Sequence, residues 1–217
     1  CDDIKLVPIL LSILNSDPSY PTSAAAATAL GLFISLGELE EIPPQIQKNV
    51  EENLLKAART NPDSLVRRRA IEALGASSRP EIPELINSAY SSTDPQWIAS
   101  ALFAMGRSAD QSWERKTIAG FHHKDDLVRI EAIQAAGELT LEAARSPLLR
   151  LLEDEEEDSD IRRAILWSLS QIGGEGVHEK LEEMLETSPN SEEVDFLEEA
   201  IENLNLTNEM ASFVLLD

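Results

Sequence analysis

Apolar positions along the chain recur at spacings of three and four residues, in short stretches separated by polar turns. This period places apolar side chains on one face of a helix. The composition agrees, because Ala, Leu and Glu are abundant and aromatic residues make up only 5% of the 217 residues. The pattern therefore predicts an all-α protein.

One helical pattern is repeated along the chain. Its best copies share an Asp, an apolar residue three positions later and small residues at helical spacing, and begin at Asp63, Asp94, Asp125 and Asp158. Degenerate copies lie near 26–31 and 196–205. Between copies run further apolar-periodic stretches, such as 82–90 and 177–185, which we interpret as partner helices. A copy and its partner cannot bury their apolar faces alone, so the sequence predicts a stack of about six antiparallel helix pairs.

Three copies place an Asp four residues before an Arg. The pairs are Asp63 with Arg67, Asp125 with Arg129, and Asp158 with Arg162. This spacing suits a carboxylate that caps the helix and pairs with the Arg along it. Because the column repeats with the architecture and no nucleophile accompanies it, we assign it to structure, as a ladder between adjacent turns.

The net charge of the chain indicates which classes of partner it can bind. The chain has 40 acidic and 18 basic residues, a formal net charge of -22. After Asp110 there are 26 acids and 9 bases, so this half carries -17. Such a surface repels nucleic acid and anionic membranes and favours a protein partner with a basic or amphipathic surface. The longest apolar stretch, 24–36, is too short to span a membrane.

The repeated Asp, Val-Arg, Ala and Ala-Leu-Gly positions resemble the HEAT-repeat superfamily, especially the short variety named after phycobilisome lyases. The resemblance covers nearly the whole chain, so 1–217 is expected to form one array. It implies an armadillo-like, right-handed α-α superhelix in which the second helix of each pair lines the concave side. It does not imply one activity.

Three classes of enzyme in this superfamily each need particular residues, which can be sought in this chain. Deoxyhypusine hydroxylases bind two irons through four His-Glu dipeptides, whereas only His178 with Glu179 fits here. HEAT-like DNA glycosylases line their concave face with Lys and Arg, which an acidic chain does not supply. Bilin lyases, which act on phycobiliproteins, are not excluded by any residue.

No catalytic residue, cofactor site or metal site is predicted. The acidic run 153–160 lacks the spacing and central Gly of a calcium loop, so we interpret it as a solvated turn. His122 and His123 are adjacent in a turn without a third ligand. Gly173, Gly174 and Gly176 lack the Lys of a phosphate loop.

Alignment of the copies places six residues in one largely polar column: Thr28, Glu72, Phe103, Gln134, Trp167 and Glu202. Phe103 and Trp167 are therefore expected at an exposed edge, as anchors for a partner, or alternatively packed against a neighbouring helix. Trp97 and Trp113 fall in core columns. Polar partner contacts are predicted on the interposed helices, taken as the second helices of the pairs: Glu84, Asn87, Ser88, Lys116, Arg145, His178 and Glu182.

Both ends of the chain are apolar. Residues 4–14 resemble a helix without its partner, and 210–216 are mostly apolar, which predicts a fragment of a longer chain or self-association through the ends. Cys1 would be the anchor of a processed lipoprotein, the alternative to a cytoplasmic protein.

The preferred function is a non-enzymatic protein–protein interaction scaffold without a cofactor. The alternative is a bilin-lyase-like or chaperone-like subunit that holds a tetrapyrrole or its acceptor protein.

Overall fold

A computed structural model describes residues 3–153, 158–187 and 191–214. These residues form helices and turns without a strand. The α-helices are α1 (Val7–Ser16), α2 (Tyr20–Glu38), α3 (Pro44–Thr60), α4 (Ser64–Leu74), α5 (Ile82–Tyr90), α6 (Pro95–Arg107), α7 (Glu114–Ala119), α8 (Asp126–Glu138), α9 (Arg145–Leu152), α10 (Ser159–Ile172), α11 (Val177–Thr187) and α12 (Ser191–Val214). Short 3₁₀ turns occupy Ile4–Leu6, Gln111–Trp113, Gly120–His122 and Glu142–Ala144.

The chain divides into two compact units, Cys1–Ala109 and Asp110–Asp217. The first unit contains α1 to α6 and the second contains α7 to α12. Within each unit consecutive helices pack in pairs, and each pair packs on the next one along the chain. The described residues therefore confirm the all-α solenoid fold that the apolar period predicts.

The pairing order differs from the prediction. Each pair begins with an interposed helix and ends with a repeat copy: α1 with α2, α3 with α4 and α5 with α6 in the first unit, and the same order in the second. The predicted lack of a partner for 4–14 is wrong, since α1 packs on α2 and the Ser23 hydroxyl donates to the Ile13 carbonyl at 3.3 Å. We call α1, α3, α5, α7, α9 and α11 the first helices and the others the second helices.

The second helices pack directly on one another, α2 on α4 on α6 in one unit and α8 on α10 on α12 in the other. Small residues make this close approach feasible. A Cβ added to Gly75 would lie 2.7 Å from the Ala104 carbonyl oxygen, and one added to Gly31 would lie 3.2 Å from the Ala73 Cα. Gly75 has φ -52°, so close helix contact and not a left-handed turn requires glycine there.

The recurrent Asp residues cap the second helices, as predicted. Asp63 accepts hydrogen bonds from the amides of Leu65 and Val66, and Asp94, Asp125 and Asp158 each accept one from the amide two residues later. Two of the arginines also contact the next pair. Arg162 donates to Glu193 of α12 at 3.1 Å, and the Arg67 guanidinium lies over the Trp97 ring of α6. Neighbouring pairs are therefore joined by Arg side chains at these two positions.

The apolar stretches of the helices can be compared with the length that a membrane span requires. Among the described residues, no helix carries a long enough apolar stretch to cross a bilayer. The predicted buried segment 24–36 lies inside α2, where Ala27, Leu30 and Ile34 are fully buried.

Candidate protein-binding surface

Large exposed apolar side chains are concentrated on the second helices. They are Tyr20 and Leu32 on α2, Phe103 on α6, Leu127 on α8, Trp167 on α10, and Phe196 and Leu206 on α12. Among the described residues of the first helices, only α1 carries one, Ile9. Exposed aromatic and aliphatic groups of this kind are typical anchors of protein interfaces. The second helices are therefore the better candidate for a binding surface.

Trp167 is held in place and yet partly exposed. It lies on α10 with 36% of its surface exposed, and its ring covers Gly137 of α8, where an added Cβ would meet Cζ3 at 2.7 Å. The next residue, Ser168, donates a hydrogen bond of 2.7 Å to the Ile133 carbonyl. One part of the ring therefore packs on α8 and the rest faces solvent, while a role as a partner anchor stays a prediction.

Phe196 of α12 is a second partly exposed aromatic residue, and it contacts α10. The Arg163 guanidinium of α10, one turn before Trp167, lies over the Phe196 ring at 5.2 Å from the ring centroid. Phe196 is 38% exposed, while Leu197 is fully buried. We call Arg163, Trp167, Phe196 and Glu199 the α10–α12 face.

Glu199 of this face also lines an acidic groove. Asp195, Glu198, Glu199 and Glu202 line an open groove of about 480 Å³, whose apolar wall includes Leu185 of α11 and Ile201. The sequence of α12 contains no Lys or Arg. A basic side chain entering the groove would therefore meet several carboxylates close to an apolar wall.

Phe103 occupies the corresponding column in the first unit, on α6, and is 42% exposed. Glu72, predicted in the same polar column, is buried instead. Its carboxylate accepts hydrogen bonds from the Ser100 hydroxyl and from Arg69, both at 2.6 Å. Ser100 of α6 and Arg69 of α4 thus draw the carboxylate into the contact between the two helices, where its polar atoms are satisfied.

Comparison with known families decides the identity of the fold. The family profile described as HEAT repeats matches residues 7–106, 82–158 and 114–202, which together cover most of the chain. The protein belongs to the HEAT-repeat family. No match appears among the curated proteins.

Solved structures of repeat proteins resemble this HEAT-repeat protein at low identity. Two engineered proteins match with TM-scores of 0.53 and 0.51, at 21% and 19% identity. The matches cover 93% and 94% of this chain and 97% and 99% of theirs. Computationally designed armadillo repeat proteins for modular peptide recognition match at 19% identity with a TM-score of 0.47, over 91% of this chain and 99% of theirs. The first two likenesses support the fold alone.

The polar partner candidates lie on the other row of helices. Glu84, Asn87 and Ser88 belong to α5, Lys116 to α7, Arg145 to α9, and His178 and Glu182 to α11. All seven lie on the interposed helices, as predicted, but these are the first helices of their pairs, so the prediction that the interposed helices are the second ones is wrong. The sequence spacing shows that two kinds of helix alternate, but only the packing contacts show which kind is the second helix of each pair. A role in partner binding stays a prediction for all nine residues.

Several of these side chains have internal partners in this HEAT-repeat protein. The Lys116 ammonium lies over the Trp113 ring, 5.1 Å from its centroid, and Arg145 Nε donates to the Gly173 carbonyl at 2.5 Å. His178 Nδ1 and Glu182 are 3.3 Å apart along α11. Glu84 and Ser88 are exposed.

The remaining predicted positions have structural roles where they are described. Trp113 is buried as expected, whereas Trp97 is half-buried because it stacks against Arg67. His123 Nδ1 accepts a hydrogen bond from the Asp125 amide at 3.1 Å. Most of the acidic run, 154–157, lies outside the described residues, as do Cys1 and the side chains of 210–216.

Proposed function

We propose that this HEAT-repeat protein is a non-enzymatic interaction scaffold whose α10–α12 face binds a basic, amphipathic segment of a partner protein. The observation that carries the proposal is the position of Trp167, which is anchored on Gly137 and presents the rest of its ring to solvent near the Arg163–Phe196 stack. Binding to a pre-positioned aromatic ring costs little side-chain entropy, which is why such groups dominate interface energetics.

The charge of this region supports a basic partner. Glu199 lies one helical turn after Phe196 on α12, a spacing that places the two on neighbouring positions of the helix surface. Glu199 and Glu202 both line the acidic groove. Aromatic anchors would supply most of the affinity, and the carboxylates would select the sign of the partner and speed its association.

Two synthetic helical peptides with the same apolar face, one with Lys and one with Glu at every polar position, test this proposal by fluorescence anisotropy. We expect the Lys peptide to bind and Trp167→Ala to weaken it about thirty-fold, since a central anchor contributes about 2 kcal/mol. Phe196→Ala should act in the same direction. Leu39→Ala serves as the matched control, because Leu39 is exposed but lies outside the second helices.

Equal binding of both peptides would refute the basic-partner proposal. Unchanged binding by Trp167→Ala and Phe196→Ala would show that the face is not the contact surface. The same variants can be incubated with a bilin and followed by absorbance. A bilin spectrum that changes in wild type while neither peptide binds would favour the tetrapyrrole-holding alternative.

Self-association through an apolar end is a separate proposal, supported by α1. Ile9 is 56% exposed on this helix, and Ile4 is exposed in the turn before it. We expect light scattering to show a concentration-dependent increase in mass that Ile9→Asp suppresses, because a buried unpaired carboxylate opposes association. A constant monomer mass for wild type, or equal association by both proteins, would contradict this expectation.

A further inference from the structure

A pocket of about 450 Å³ in the first unit is lined by residues of α3 to α6 and of the turn that joins α5 to α6. Its apolar lining includes Ile71 and Leu85, and its polar lining consists of Arg59, Arg67, Ser88, Ser91 and Ser92. Two guanidinium groups therefore border one cavity in a chain that is strongly acidic as a whole. The pocket does not include Phe103, Trp167 or Phe196, so its role is independent of the function proposed above.

Internal repetition provides a reference for Arg67. Its counterparts Arg129 and Arg162 each donate to a carbonyl near the end of the preceding first helix: Arg129 Nε donates to Phe121 O at 3.1 Å, and Arg162 Nη1 to Leu152 O at 3.3 Å. Arg162 Nε also has a partner, Glu193 at 3.3 Å. The Nε of both equivalent arginines is thus hydrogen bonded.

Arg67 departs from this pattern. Its guanidinium lies over the Trp97 ring, with the central carbon 5.1 Å from the ring centroid. Its Nε is buried and has no hydrogen-bond partner among the described residues. Trp97 holds the position that Val66, Val128 and Ile161 fill in other copies, and its larger ring provides the stacking surface. Arg67 therefore lacks the Nε hydrogen bond that both counterparts make.

The lining selects the ligand chemistry. Guanidinium groups bind carboxylates and phosphates through paired hydrogen bonds, and a serine hydroxyl can contribute another. The apolar wall from Ile71 and Leu85 would bury an aliphatic group joined to the anion, which inorganic phosphate does not carry. Asp63, the nearest capping carboxylate in sequence, already accepts from two backbone amides.

We propose that this pocket binds a carboxylate that is joined to an apolar group, such as the C-terminal residue of a peptide. The carboxylate accepts from the outer guanidinium nitrogens of Arg67 and from Arg59, while the aliphatic part packs on Ile71 and Leu85. Trp97 keeps the Arg67 guanidinium in the orientation that the carboxylate requires.

The probe is N-acetyl-leucine, compared with its neutral analogue N-acetyl-leucinamide and with inorganic phosphate. Nitrogen-15-labelled protein is titrated, and the Trp97 indole and Arg67 Nε signals are followed after assignment with Trp97→Phe and Arg67→Lys. We expect N-acetyl-leucine to shift both signals saturably. The amide should bind at least about ten-fold more weakly, because it lacks the charge-assisted hydrogen bonds.

Arg67→Gln should abolish the shift at Trp97, and Arg67→Lys should weaken binding about ten-fold, since it retains the charge but loses the paired donors. Arg107→Gln, at the other end of α6, is the control that should bind as wild type. Equal shifts by the acid and the amide, no shift by either, or tighter binding of phosphate would overturn the proposal. The ligand pair decides this on the unmodified protein, even if Arg67→Gln does not fold.

Discussion

Gly75→Ala is expected to lower the free energy of unfolding by about 3 kcal/mol. The added Cβ would lie 2.7 Å from the Ala104 carbonyl oxygen and 2.8 Å from its Cα, so it meets backbone that cannot rotate away. The helices α4 and α6 would have to separate, and the surrounding core would lose contacts. The gain in intrinsic helix propensity, about 1 kcal/mol at most, opposes this loss without cancelling it.

Urea denaturation followed by circular dichroism measures this loss, and hydrogen exchange locates it in α4 and α6. Gly31→Ala is the matched control: the same atoms are added, but the nearest backbone atom, the Ala73 Cα, is 3.2 Å away. We expect its effect to be clearly smaller. If the two substitutions had equal effects, the close approach of α4 and α6 would not explain the glycine at 75.

Phe121→Ala is expected to destabilise the second unit by about 4 kcal/mol, the usual size for removal of a buried aromatic ring. Phe121 is fully buried in the 3₁₀ turn Gly120–His122, between α7 and α8. Its carbonyl still accepts from Arg129 Nε in the variant, so the substitution removes packing and retains this backbone contact.

Thermal unfolding monitored by calorimetry should show the loss as a lower transition temperature. Leu127→Ala, at the start of α8, is the control, because Leu127 is 44% exposed and truncation there should change stability by about 0.5 kcal/mol or less. A small effect of Phe121→Ala would mean that the turn relaxes into the cavity and that its ring does not stabilise the α7–α8 pair.

The candidate surface could be only partly predicted. Repeat alignment correctly placed Phe103 and Trp167 at exposed positions, because the other members of their column are mostly polar. It missed Phe196. The adjacent Phe196 and Leu197 are both apolar, and a helix directs only one of two neighbours into a given contact. The chain fills this contact with Leu197, and Arg163 covers the other ring.

Arg67 shows the same limit for the pocket. Its place in the Asp–Arg column predicted a structural role like those of Arg129 and Arg162. The difference arises from Trp97, 30 residues later in the sequence, whose ring attracts the Arg67 guanidinium. The available signal was the Trp in a column of Val and Ile, but its consequence depends on a contact between α4 and α6.

Local sequence determined the helices, their Asp caps, the repeat family and the acidic second half, because apolar period, capping geometry and charge act between residues close in the chain. Only the tertiary structure decided which helix is the second of each pair, that Glu72 is buried, and which aromatic rings face solvent. These properties depend on side chains of the next helix pair. Because several helix faces are similarly apolar, only the packing of the pairs on one another selects which face is buried.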